Sequence, residues 1–128
     1  MIVLDTHAWI WWVSDPGKLS APARERIDAA TDIGICAISC WEVAILVSKQ
    51  RIRLDRDVLT WVQEALRQPR VVLVPLSPAI AVAATQLTGD IPGDRADRII
   101  VASALQLDAD LVTRDRALHA FENVRTIW

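Results

Sequence analysis

The chain has 128 residues, 52% of them hydrophobic and 23% charged, which excludes a disordered polypeptide and leaves length for one core of ordinary size. Its 14 Lys plus Arg against 16 Asp plus Glu give a formal net charge of −2, which excludes nucleic-acid binding by bulk positive charge alone. Cys36 and Cys40 lie in apolar stretches without zinc-type pairing or a dense disulfide pattern, so a reducing cytoplasm is expected, with both thiols buried and inert.

Residues 2–4, Ile-Val-Leu, form a short apolar run suited to a strand covered on both faces. No basic leader precedes it and Asp5 ends it, so a signal peptide is not expected. A helix is predicted over 6–13, a turn over 14–17, a second helix over 20–30 and a second strand over 33–37. Ser39-Cys40-Trp41-Glu42 opens a third helix reaching about Ser48, and Asp57 opens a fourth that ends before Pro69. Residues 71–74 are predicted as a buried third strand. The uncharged run 71–89 approaches membrane-span length, but Pro75, Ser77 and Pro78 divide it, so no membrane segment is expected. A fifth helix follows over 78–87, a loop over 89–96, a sixth helix over 97–107, a fourth strand over 111–113 and a short last strand over 124–127. Alternating strands and helices imply an α/β fold, a central parallel sheet with helices on both faces, built as one domain over 1–128.

In such sheets ligands bind beyond the carboxyl ends of the strands, where the strand order reverses. Asp5 follows the first strand, Glu42 opens the helix after the second, and Asp115 lies just past the fourth. Asp97 heads a helix that runs back to the fourth strand and so begins at the same edge. Singly, each acid reads as a helix cap or turn residue. Together, four neighbouring carboxylates repel, and a cation is needed to offset them. Carboxylate oxygens without histidine or thiolate ligands favour Mg²⁺ or Mn²⁺, which suit phosphodiester cleavage. Without those four acids, 12 acidic residues face 14 basic ones, so the remaining surface tolerates RNA or DNA.

Four blocks stand in order along the chain: Ile2-Val3-Leu4-Asp5-Thr6-His7, Ser39-Cys40-Trp41-Glu42, the stretch from Asp94-Arg95-Ala96-Asp97 to Ala102, and Leu111-Val112-Thr113-Arg114-Asp115. Together they resemble the PIN-domain nucleases, particularly the short VapC toxins of toxin–antitoxin pairs. The resemblance implies a three-layer α/β/α sandwich and Mg²⁺- or Mn²⁺-dependent endoribonuclease activity. It also implies dimerisation and inhibition by a small cognate antitoxin. By the same resemblance, Asp5, Glu42, Asp97 and Asp115 are the catalytic, metal-binding acids, with Thr113 a neighbouring hydroxyl. One departure is Asp94-Arg95-Ala96, where many relatives carry a proline and an aromatic residue; Asp94 reads as a loop cap.

The first helix carries Trp9, Ile10, Trp11, Trp12 and Val13, apolar on more than one face, which implies deep burial or a partner groove. Trp11 or Trp12 is the expected antitoxin contact. Lys49, Arg51, Arg53 and Arg56 form a basic run that reads as a solvated face or a hold on RNA phosphates. His7 reads as a polar partner beside the first strand rather than a general base, Arg98 as an ion-pair partner, and Trp41 and Trp61 as core or dimer residues. Two other functions compete: a PIN-like RNA- or protein-binding module without activity, and a haloacid-dehalogenase-type phosphatase. The phosphatase pattern usually has a second Asp two residues after the first; here His7 stands there.

Overall fold

A computed structural model of the chain describes residues 1–87, 95–121 and 123–128. In chain order the elements are β1 (Ile2–Leu4), α1 (Thr6–Ser14), α2 (Ala21–Ala29), β2 (Ile33–Cys36), α3 (Ala37–Ser48) and α4 (Val58–Leu66). There follow β3 (Val71–Val74), α5 (Pro78–Thr85), α6 (Arg95–Gln106), β4 (Asp110–Val112), α7 (Arg116–His119) and β5 (Thr126–Ile127). A 3₁₀ turn, Pro16–Lys18, joins α1 to α2.

The five strands pair in parallel in the order β3-β2-β1-β4-β5. The chain steps outward from β1 to β3 and then crosses back to β4. A right-handed crossover places the helices of those two journeys on opposite faces. The side chains record this. Ile2 and Leu4 of β1 and Ile33 and Ile35 of β2 pack with Trp9, Ile27, Val43 and Trp61 from α1 to α4. On the other face Val3, Cys36, Val74 and Leu111 pack with Ile80, Ile100, Val101 and Leu118 from α5, α6 and α7. The result is the expected three-layer α/β/α arrangement around a parallel sheet.

Local chemistry sets most helix starts. Ser20, Asp57 and Ser77 cap α2, α4 and α5 by accepting the backbone N–H groups of Ala23, Thr60 and Ile80, respectively. The third helix departs from expectation, beginning at Ala37 directly after β2, with Cys36 at its cap position and no side-chain cap bond. Ser39 therefore lies inside the first turn, completely buried. The third strand departs as well. It is an edge strand in which only Val74 is buried, while Val72 and Leu73 are exposed. Cys36 is buried as expected and its thiol is pushed up to about 11 by that burial; Cys40 is only half-buried. No described helix is long and apolar enough to cross a membrane.

Gly34 lies mid-strand in β2, flanked by β1 and β3. A Cβ there would stand 3.2 Å from Val74 Cγ2, 3.3 Å from the Ile2 carbonyl oxygen and 3.3 Å from Val3 Cγ2. A backbone oxygen in a paired strand has little freedom to retreat. Gly34→Ala is expected to destabilise the fold by about 1–3 kcal/mol, read as a lower urea midpoint with an unchanged slope.

Candidate active site

Strand order reverses between β1 and β4, so their carboxyl ends open the crevice where open α/β sheets bind ligands. Asp5 stands at the end of β1, its backbone N–H bonded to the carbonyl of Val112 in β4 (3.0 Å). Asp97 lies in the first turn of α6, Glu42 in α3, and Asp115 caps α7. All four acids line one cleft of about 450 Å³, together with Thr6, His7, Trp11 and Arg114. Four separated stretches of sequence thus meet at one sheet edge. Asp94 lies outside the described residues.

Thr113 joins two of these acids. Its side chain is fully buried one residue past β4. Its hydroxyl hydrogen-bonds the Asp5 carboxylate and accepts the Asp115 backbone N–H at 3.0 Å. A carboxylate only accepts, so the hydroxyl proton points to Asp5. The Thr113 carbonyl lies 2.6 Å from His119 Nε2, and Thr126 Oγ1 lies 2.9 Å from His119 Nδ1. A carbonyl also only accepts, so Nε2 carries the hydrogen there. Thr113 is therefore held on both its backbone and its side chain.

Asp5 and Asp115 each use one oxygen as a cap: Asp5 Oδ1 accepts from Ala8 N–H (2.8 Å) and Asp115 Oδ1 from Ala117 N–H (2.9 Å). Burial pushes the Asp5 carboxyl above its ordinary value; the bonds from Thr113 and Ala8 and the nearby His7 oppose this, and the charge of Asp115 adds to it. Glu42 is anchored differently. The Thr6 hydroxyl donates to Glu42 Oε1 and lies 3.0 Å from the buried Ser39 hydroxyl. A single hydroxyl proton serves one acceptor, so Thr6 donates to the carboxylate and accepts from Ser39.

The donor set differs from the expected one at a single point: His7 lines the cleft, its ring 5.7 Å from that of Trp11. Carboxylate oxygens still dominate the walls, the chemistry of a hard cation site. Among the described residues no three carboxylate, imidazole or thiol groups converge closely enough, as placed, to hold one ion. The acids share a cleft rather than a finished cage.

Other expected residues separate. Trp11 and Trp12 both pack, partly buried, against the core, and of the two Trp11 lines the cleft. Trp61 is a core residue, its ring 5.1 Å from Trp9 and its Nε1 donating to Ser14 Oγ (3.2 Å), but Trp41 is 58% exposed and belongs to no core. The basic run splits. Lys49 and Arg51 line a cavity with Trp41 and Glu42, Arg53 faces a different hollow beside Trp61, and Arg56 pairs with Asp55 and Glu64. Arg98 forms no ion pair among the described residues, and its buried Nη1 has no hydrogen-bond partner there. The short helix α7 and the bracing by His119 and Thr126 went unread in the sequence. The Asp115-Arg116-Ala117 start, a cap residue before a short amphipathic turn, was the available signal.

A family model described as PIN domain matches residues 2–124. Ribonuclease VapC22 of Mycobacterium tuberculosis (strain ATCC 25618 / H37Rv) is 37% identical over 99% of this chain and 98% of that protein. Among solved structures, VapBC2 from Rickettsia felis, bound to a DNA fragment from their promoter, has a TM-score of 0.72 at 19% identity, covering 98% of this chain and 97% of that one. DNA-bound VapBC from Salmonella typhimurium has a TM-score of 0.72 at 20% identity over the same shares. At those identities the two structures speak for the fold.

Thr113→Val keeps the shape but removes the hydroxyl shared by Asp5 and Asp115. It is expected to cost about 1–3 kcal/mol in urea unfolding, with Thr113→Ser close to the parent. Because the folded chain holds Asp5 at a raised value, ionising it costs stability: its contribution is complete at pH below its unfolded value of 3.8 and is lost as pH rises through the folded value. Asp5→Asn retains a cap and carries no charge. In EDTA at neutral pH it should melt above the parent, the gap closing as pH falls; an equal or lower melting temperature at neutral pH would refute the charge argument.

Proposed function

The chain belongs to the PIN-domain family, and from that membership we propose that it is a Mg²⁺- or Mn²⁺-dependent endoribonuclease, the toxin of a toxin–antitoxin pair. The observation that carries the reading is the cleft at the strand switch point, whose walls include Asp5, Glu42, Asp97 and Asp115 together. Those four acids would hold the metal. When bound, it supplies a lowered pKa for attacking water and neutralises charge gathering on the phosphate.

The chain's own residues do the rest. Thr113 holds the carboxylate of Asp5 and the backbone of Asp115 in a fixed relation, and Thr6 with Ser39 orients Glu42. Preorganisation of this kind avoids the cost of aligning charged groups during the reaction. Arg114 lines the same cleft, 5.9 Å above the Trp11 ring, and offers a positive charge to a phosphodiester entering among acids.

A cytoplasmic chain, an antitoxin partner and a homodimer complete the reading. Solved structures similar to this chain include VapBC proteins and a toxin-antitoxin complex from Klebsiella pneumoniae, which supports the antitoxin. Apolar surface for a dimer is available on β3, where Val72 and Leu73 are exposed.

Purified protein freed of antitoxin should cleave RNA in Mn²⁺ or Mg²⁺ and stop in EDTA. Asp5→Asn and Asp97→Asn should each lower the rate at least about a hundredfold, as expected when a group aimed at the reacting charge is removed. Millimolar Mn²⁺ should raise the melting temperature of the parent and not of Asp97→Asn, since an ion held only by the folded chain adds its binding free energy. Cleavage that persists in EDTA, or in both variants, would refute the proposal.

A further inference from the structure

The segment that carries Asp115 is closed by a ring of hydrogen bonds that begins and ends at Thr113. The Thr113 hydroxyl accepts the Asp115 N–H (3.0 Å), and the Asp115 carbonyl accepts the His119 N–H (3.2 Å). His119 Nε2 then donates to the Thr113 carbonyl (2.6 Å) and completes the circuit. Without the imidazole the ring is open, and residues 113–119 would depend on α7, a helix of four residues with little stability of its own. The closing member is an exposed side chain, so its work is done on this segment and not in the core.

The imidazole is itself fixed from behind. Thr126 Oγ1 lies 2.9 Å from His119 Nδ1. With the hydrogen on Nε2, Nδ1 accepts and the Thr126 hydroxyl donates, so the two bonds select one tautomer and one ring orientation. Thr126 opens β5, and the next residue, Ile127, accepts the Thr113 N–H at its carbonyl (3.1 Å). The ladder between β4 and β5 ends at the pair Val112 and Ile127, so the Thr113 carbonyl lies past it, and His119 supplies the partner. Every polar group of Thr113 is thereby engaged: the N–H on β5, the carbonyl on His119, and the hydroxyl between the Asp5 carboxylate and the Asp115 N–H. Turning the residue about its backbone would carry that hydroxyl away from both acids.

We propose that His119 is a positioning residue for the acidic cleft: by holding the Thr113 carbonyl it keeps Asp115, and through the Thr113 hydroxyl Asp5, directed to the cation the cleft receives. His119 does not line the cleft, so it acts through Thr113 and not on the reacting atoms. This rests on the ribonuclease reading above and adds to it a residue from outside the cleft. Thr126 shares the role by holding the ring.

The test uses the full chain with His119→Leu, His119→Gln and Thr126→Val. Mn²⁺ binding is followed by the paramagnetic resonance of the free ion, and cleavage of an RNA oligonucleotide at saturating Mn²⁺ gives kcat and KM. His119→Leu should weaken Mn²⁺ binding about tenfold, the lower end of the loss when a group behind a metal ligand is removed, and should lower kcat more than it changes KM. His119→Gln, whose amide N–H replaces Nε2 as donor, should recover most of both. Melting temperatures should stay close to the parent's, because the side chain is exposed. In a Thr113→Val background, His119→Leu should cost far less than in the parent, as expected of two groups acting in one network. Parental Mn²⁺ affinity in His119→Leu, equal losses in the Leu and Gln variants, or losses that simply add to those of Thr113→Val would each overturn the positioning role. Should His119→Leu fail to fold, Thr126→Val decides: Mn²⁺ binding weakened about threefold, with Thr126→Ser like the parent, upholds the role, and no change overturns it. A parent that binds Mn²⁺ but cleaves no RNA refutes the ribonuclease reading and leaves the role of His119 to be judged on Mn²⁺ affinity; a parent that binds no Mn²⁺ refutes both.

Discussion

Burial of one carboxylate, Asp5, in a crevice shared with three other acids is the constraint on which the rest of this site depends. Parallel strands β1 and β4 lie side by side and end together, so the residues that follow them, Asp5 and the Thr113–Asp115 segment, are delivered to one crevice. Burial there works against Asp5 in its charged form. The fold answers with one buried hydroxyl, Thr113, which bonds the Asp5 carboxylate and the Asp115 backbone and is itself braced through its carbonyl by His119. A fold shaped by stability alone would put an uncharged residue in place of the buried Asp5. Four acids lining one crevice of a packed sheet are a local conflict with stability of the kind found at functional sites.

Capping and chemistry are not rival explanations of these acids. A carboxylate has two oxygens and several lone pairs. Asp5 and Asp115 each direct Oδ1 to a helix N-terminus, which fixes the side-chain rotamer and leaves the other oxygen for a further partner. The cap thereby fixes each carboxylate at the cleft. It also connects local sequence to site geometry: the residue that starts α1 or α7 is the residue presented to the cleft.

Much of this was legible in the sequence because its signals are local. Ser20, Asp57 and Ser77 announce their helices by the oxygen they offer to free N–H groups, and the short β-branched runs at 2–4, 33–36 and 71–74 announce strands. The four acids could be assigned to one edge because each lies shortly after a strand or near the start of a helix, although Glu42 falls in the second turn of α3 rather than at its opening. Signals that depend on tertiary neighbours stayed hidden. Ser39 has the composition of a cap, yet α3 starts earlier and its hydroxyl turns inward to Thr6. Val72 and Leu73 have the composition of a buried strand, yet β3 is the last in its sheet. Trp41 sits in an apolar stretch and still faces solvent, while Cys40 beside it is half-covered. Hydropathy gives what a side chain tolerates, and only the packing of other segments decides what covers it.

The open margin of the sheet carries a last consequence. β3 pairs with β2 on one side only, and no charged residue or proline lies within Val71–Val74. Natural margins are commonly blunted by lysine, proline or a bulge, because unpaired main-chain groups template the addition of further chains. Arg70 and Pro75 guard the ends of this strand but leave its middle bare. In concentrated preparations, clumping of intact molecules should therefore begin along this ribbon of four residues rather than at the two-residue β5.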